Sequence, residues 1–318
     1  MTGSELLLAA SVDAVAGDPR WFPHPVRAMG AVIAWCDENV RTLYRHSYAL
    51  RTCGLFLALG LPLCVFGLSH EAITWAEGIA WWLGSFLSIA LGWTTLAGRD
   101  LWNHVHDVWR RLEQNDLSGA RHAVSRIVGR DTEQLSEEQV IRATIETTAE
   151  STSDGMVAPL FYLAMGGAPL ALAYKAVSTL DSMIGHKDER HIDFGWASAR
   201  LDDVANWIPA RLSAIFILLA AGLVMGESGP IRTGWHVLWR DGGKHPSPNS
   251  GRPEAAMAGS LGIQLGGTNY YDGVPHERPL IGTNGRQLVL NDLTIASRIM
   301  VVACLLGVIL AVGTVWLV

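Results

Sequence analysis

Residues 299–318 read IMVVACLLGVILAVGTVWLV, twenty residues without a single charge. Crossing the ~30 Å hydrocarbon core of a bilayer takes about 20 apolar residues in a helix. The stretch therefore predicts a membrane span and decides the fold class. Composition agrees, with 49% hydrophobic residues, 17% charged residues and 13 Trp, where soluble domains carry about 25% charged residues. A net charge of −6 leaves no basic footprint for nucleic acid. Working back along the chain, Trp207–Met225 is a second span, with Arg211 near its start able to snorkel. Ala72–Ala97 is a third, with Trp75, Trp81, Trp82 and Trp93 available as interfacial anchors. Thr52–Leu68 is shorter and contains Pro62, while Met156–Val177 is interrupted by Gly166-Gly167-Ala168-Pro169, a kink or the tip of a re-entrant hairpin. Leu6–Ala16 is too short to span alone.

The reading is an all-α polytopic bundle of four to five spans, one integral membrane domain over residues 1–318 with helical and loop-rich polar segments. Counting five spans from Thr52 puts residues 1–51, 98–155 and 226–298 on one side, with five, seven and seven Lys and Arg; Lys187, Arg190 and Arg200 lie opposite. The excess of basic residues makes 98–155 and 226–298 cytoplasmic. The four cysteines form no CxxC pair and read as buried thiols. The N-terminus lacks the basic n-region of a cleaved signal peptide. Within 100–130, Leu101, Val105, Val108, Leu112, Ala120, Val124 and Ile127 recur at helical spacing. Ser136, followed three residues later by Gln139, marks a helix start.

That helix runs into ETTAESTSDG at 146–155, where Glu146, Glu150 and Asp154 fall at i, i+4 and i+8 and share one face. Three carboxylates on one face repel each other. They form either a solvated helix end or a site where a divalent cation or a basic substrate reverses the repulsion. A second cluster, GDPRWFPHPVR at 17–27, is stiffened by three prolines and projects Asp18, Arg20, His24 and Arg27. The third, KHPSPNSGRPE at 244–254, ends in Ser250 or Gly251 as a cap for a helix with Pro253 and Glu254 in its first turn. A helix start bordered by Lys244, His245, Asn249, Ser250 and Arg252 suits a phosphate or a carboxylate. Small residues through Ala255, Ala256, Ala258, Gly259 and Gly262 predict close backbone approach. GGTNYYDG at 266–273 reads as a flexible loop with an aromatic pair, and Asn269 joins the phosphate-binding set. In 181–203, His186, Lys187, Arg190 and His191 stand among six carboxylates, without the ligand spacing of a zinc site. No P-loop, GxGxxG or GxSxG motif is present.

Four long stretches in order resemble the CobD/CbiB cobalamin biosynthesis proteins: GDPRWFPHPVRAMG at 17–30, ETTAESTSDGMVAPLFY at 146–162, YKAVSTLDSMIGHKDERHIDFGWASARLDDVANWIPARL at 174–212 and HPSPNSGRPEAAMAGSLG at 245–262. The resemblance implies an adenosylcobinamide-phosphate synthase of the bacterial cytoplasmic (inner) membrane. Such an enzyme joins the carboxylate of adenosylcobyric acid, a corrinoid, to aminopropanol or its O-phosphate, with ATP and Mg²⁺, among membrane lipid and other cobalamin biosynthesis enzymes. The chemistry of that reaction places Mg²⁺ on Glu146, Glu150 and Asp154. It gives phosphate to Lys244, His245, Asn249, Ser250, Arg252 and Asn269, and lets Lys187 and Arg190 neutralise charge developing in phosphoryl transfer. His24 or Asp18 would contact the corrinoid or take a proton from the amine. A corrinoid transporter would need polar residues inside its spans, an AmpE-like sensor would not need the donors at 244–254, and a lipid phosphotransferase would make no amide.

Overall fold

The computed structural model describes residues 1–19, 21, 23–43, 46–186, 188–283 and 286–317. Lys187 and Arg20 lie outside the described residues. The chain divides into two compact units, one of residues 1–97, 158–206 and 308–318, the other of residues 98–157 and 207–307.

In the first unit α1 (Gly3–Ala16) starts in a capping box between Thr2 and Glu5, followed by α2 (Pro25–Leu43), α3 (Ser47–Ile79) and α4 (Trp81–Trp93). The third and fourth elements revise two of the expected spans. Helix α3 runs unbroken for 33 residues through Pro62 and takes in the start of Ala72–Ala97. The remainder of that stretch breaks at the extended residue Ala80 and forms the 13-residue α4, too short to cross. Helix α8 (Ala158–Ile184) contains the Gly-Gly-Ala-Pro sequence as a kink: Gly166 and Gly167 leave helical geometry, Gly167 at φ +68°, and the helix resumes through Pro169. Glycine tolerates that positive φ without steric cost. Helix α9 (Trp196–Ala205) completes the unit. Phe194, Ile33, Leu180 and Ile184 form a small core here. A Cβ on Gly54 would stand 1.9 Å from the Phe194 carbonyl oxygen, so α3 and the loop before α9 meet backbone to backbone.

In the second unit, α5 (Gly98–Glu113) and α6 (Leu117–Val124) bury Leu101, Val105, Val108, Leu112, Ala120 and Val124, the face read from periodicity. Helix α7 (Glu137–Thr152) opens with the expected capping box, the Ser136 hydroxyl accepting the Gln139 N–H and the Gln139 side-chain oxygen accepting the Ser136 N–H. It passes through one π turn, Ser153–Val157, into α8. Helix α10 (Trp207–Met225) leads to α11 (Gly229–Asp241) and α12 (Gly251–Leu261). The small residues of α12 do what their size predicted: a Cβ on Gly259 would lie 2.7 Å from the Gly234 Cα of α11.

The expected loop at 266–273 is instead half of an antiparallel hairpin, β1 (Gln264–Tyr271) with β2 (Val274–Gly282), the one departure from an all-helical architecture among the described residues. Asp272 (φ 50°) and Gly273 (φ 77°) make the two-residue turn, whose positive φ values suit the twist of paired strands. A register irregularity between Leu265 and Gly267 absorbs the glycines. Helix α13 (Leu290–Leu317) follows. Among the described residues four helical stretches are long and apolar enough to cross a membrane: Ser47–Ile79, Glu137–Ile184, Trp207–Met225 and Leu290–Leu317. The protein is a polytopic membrane bundle.

Candidate functional site

In the second unit the hairpin packs on α12, and a cavity of about 110 Å³ opens among α7, α12 and the two strands, lined by Arg130, Glu146, Thr147, Glu150, Glu254, Asn269, Tyr271 and Arg278 among others. Asp131 sets its geometry. Its carboxylate accepts hydrogen bonds from the backbone N–H groups of Gly273 (2.8 Å) and Asp272 (3.2 Å), while its own N–H donates to the Tyr270 carbonyl at 2.8 Å. The neighbouring Arg130, only 6% exposed in its side chain, is thereby fixed between Asn269 and Glu146 and donates to both. The other oxygen of Glu146 accepts the Gly266 N–H at 2.8 Å, with Arg142 Nε at 4.0 Å.

One helical turn later, Glu150 Oε1 accepts a hydrogen bond of 2.9 Å from the Ser250 hydroxyl. Ser250 therefore caps α12 by position only; its side chain makes no cap hydrogen bond. The Arg278 guanidinium donates to the Tyr271 hydroxyl at 3.2 Å. Glu254 is 3% exposed. Burial, then the charges of Glu146 and Glu150, hold its carboxyl well above the usual range, against the pull of Arg278 and Arg130. Burial lowers the pKa of Arg278, but Tyr271 and the three glutamates outweigh it and the net shift is upward. With Glu254 neutral, the Arg130 and Arg278 guanidiniums of the lining balance Glu146 and Glu150, and Arg142 stands behind Glu146 as a further cation.

Asn269, 3% exposed, has no partner for Nδ2, nor have Arg142 Nε, Arg252 Nε and His245 Nε2. Buried polar groups are nearly always hydrogen-bonded, so Asn269 Nδ2, on the cavity wall, is a donor open to a ligand. His245 is kept neutral chiefly by burial and then by Arg278. Its Nδ1 accepts the Ser247 N–H at 3.0 Å, which puts the ring proton on Nε2, an unused donor.

The structure brings Glu146, Glu150 and Asn269 into one pocket, with Ser250 on its edge. It differs from the sequence reading elsewhere. The π turn changes the helical phase after Thr152, and Asp154 is not among the cavity residues. Among the described residues no three His, Cys, Asp or Glu side chains converge as a preformed metal cage. Lys244 is drawn to the buried Asp241, with Nζ 2.6 Å from Oδ1. Asn249 accepts from Arg211 at 3.5 Å, close to Arg252. Arg190, His24 and Asp18 belong to the first unit. There Arg190 donates to the buried Asp37 at 2.6 Å, beside Arg41 and His191, and His24 Nε2 is 3.4 Å from Asp18. Arg130, Arg142, Arg278 and Glu254 are site residues that motif reading did not single out as a set. The one local signal was Arg142, four residues before Glu146 on the same helix; Arg130 and Arg278 come from distant segments with no pattern to link them.

The CobD/Cbib protein family profile matches residues 6–300. The chain is 48% identical to the cobalamin biosynthesis protein CobD of Geobacter metallireducens, covering 98% of this chain and 96% of the relative. It is 43% identical to the cobalamin biosynthesis protein CbiB of Salmonella typhimurium, covering 96% and 95%, and 42% identical to the CobD of Clostridium tetani, covering 91% and 90%. No solved structure matches the chain. A family match over residues 6–300 and similarity at this level across nearly the full length make this chain a member of the CobD/CbiB family.

Proposed function

We propose that this protein acts in cobalamin biosynthesis as the ligase of the bacterial cytoplasmic membrane that joins adenosylcobyric acid to aminopropanol O-phosphate. One amide bond forms as ATP is consumed, and adenosylcobinamide phosphate is the product. The observation that carries the reading is the pocket lined by Arg130, Arg278, Glu150 and Asn269, whose buried Nδ2 has no hydrogen-bond partner. A carboxylate is a poor electrophile and reacts with an amine only after phosphoryl or nucleotidyl transfer to it. Arg130, Arg278, His245 Nε2 and Asn269 Nδ2 are the donors proposed to hold the phosphates and to balance charge as it shifts in that transfer.

Mg²⁺ is commonly held by one or two carboxylates together with substrate phosphates. Glu150 fits that pattern, and Glu254 would join it once the ion displaced its proton, whereas Glu146 is committed to Arg130 and the Gly266 N–H. When bound, the ion would neutralise phosphate charge and polarise the group being transferred. Arg252 and Arg211, with Asn249, are proposed to take the phosphate of the amine, with Ser250 lying between them and Glu150. Use of cytoplasmic ATP places 98–136 and 226–289 on the cytoplasmic side.

The test is purified protein in detergent with adenosylcobyric acid, aminopropanol phosphate, ATP and Mg²⁺, followed by mass spectrometry of corrinoid and nucleotide. Cobinamide phosphate with equimolar ADP is the result for acyl-phosphate activation; AMP would mark an adenylate. Folded protein that makes no amide with either aminopropanol or its phosphate would overturn the proposal.

A further inference from the structure

A second cavity of about 180 Å³ in the second unit has different chemistry. It is lined by Trp102, His106 and Trp109 of α5 and by Thr294, Ser297 and Arg298 of α13. The three rings form a ladder: Trp102 and His106 stack with centroids 5.8 Å apart and planes 7° from parallel, His106 and Trp109 at 5.2 Å and 13°. The Trp109 indole N–H donates to the Thr294 hydroxyl at 2.9 Å, which locks the ladder against α13. Arg298 is exposed and makes no ion pair or hydrogen bond among the described residues. It is also the last charge of the chain, since residues 299–318 carry none. From Arg298 the exposed residues Val301 (37%) and Leu305 (55%) continue down the same helix face at i+3 and i+7.

From this arrangement we infer that the α5–α13 groove is a binding site for a phospholipid with an anionic headgroup. The guanidinium at the end of a membrane span matches a phosphodiester in charge and in its paired donors. Trp side chains prefer the depth of the glycerol and headgroup region. The apolar stripe of Val301 and Leu305 offers an acyl chain a track into the hydrocarbon. No residue of the Arg130–Arg278 pocket takes part, so the inference stands apart from the proposed reaction.

The test compares delipidated protein reloaded with dioleoyl phosphatidylglycerol or with dioleoyl phosphatidylcholine, read by native mass spectrometry and by melting temperature. Phosphatidylglycerol should be retained about fivefold better, the worth of one arginine at an anionic surface, and should raise the melting temperature more. Arg298→Gln should lose that preference while melting as the parent does in phosphatidylcholine. Equal retention of the two lipids by the parent protein overturns the inference whether or not the variant folds. So does a variant that keeps the preference, or inorganic phosphate in phosphatidylcholine giving the same stabilisation.

Discussion

Glu254 is 3% exposed and shares its cavity with two other carboxylates. Burial and the charges of Glu146 and Glu150 keep its proton on, so any ionised fraction strains the fold. Glu254→Gln keeps the shape and removes that strain. The variant should melt about 2–4 °C higher, the shift expected for 1 kcal/mol in a domain of this size, and should lose turnover; differential scanning fluorimetry beside the product assay checks both. Glu150→Gln should leave melting almost unchanged, abolish turnover and weaken the Mg²⁺ dependence, and normal activity in that variant would remove Glu150 from the site. At this scale the sequence was half legible. Glu146 and Glu150 follow from i, i+4 spacing because both lie on one helix. Arg130 and Arg278 sit 148 positions apart, and no local pattern connects them. Lys244 misled because a basic residue beside a helix start looks like a phosphate ligand, whereas Asp241, three residues earlier, claims it.

Among the elements, the crossing of α11 and α12 leaves no room for a side chain at Gly259. A Cβ on Gly259 would meet Val237 Cβ at 2.6 Å and Gly234 Cα at 2.7 Å, both on α11. Gly259→Ala should therefore cost about 1–3 kcal/mol by overpacking, visible as a lower melting temperature. The end of α11 also holds the hairpin. Asp241, buried, accepts from Arg240 at 2.6 Å, from Lys244 and from the Gly282 N–H at 2.9 Å. The Arg240 hydrogen bond, then Lys244 and the Gly282 N–H, hold its carboxyl far below the usual range against the effect of burial. A depressed folded pKa gives stability that is present above the unfolded value of about 3.9 and lost as pH falls through the folded value. Asp241→Asn should cost about 2 kcal/mol at pH 7, and a melting series should show the gap to the parent closing below about pH 4. Helix starts were legible because capping is local, as at Ser136. The hairpin was not: Gly266, Gly267, Pro275 and Pro279 break the alternation that marks strands. The Asp272-Gly273 turn was the surviving clue.

For the whole molecule, contacts constrain the path through the bilayer. Arg190 touches Asp37 at 2.6 Å and Asp193 touches Arg51 at 2.8 Å, so these residues share a side. An even number of crossings must separate them. The five-span count has three there, while α3 and the α7–α8 stretch give two. Arg130 and Asn269, in direct contact, are likewise separated by two. Apolar length alone cannot show this, because Ala72–Ala97 is apolar enough to span and is simply broken at Ala80. The proposed use of cytoplasmic ATP predicts that Ser228→Cys reacts with a membrane-impermeant maleimide only in inside-out vesicles; labelling in intact cells would reverse that placement. The grip of Asp131 on the hairpin tip reaches further. Asp131 adjoins Arg130, and the amides it holds, Asp272 and Gly273, belong to no wall of the cavity. Any excursion that frees the tip also loosens Arg130, so a nucleotide clasped by Arg130 should slow deuterium uptake at those two amides. Isotope exchange at the hairpin tip would thus register occupancy of a pocket it does not touch.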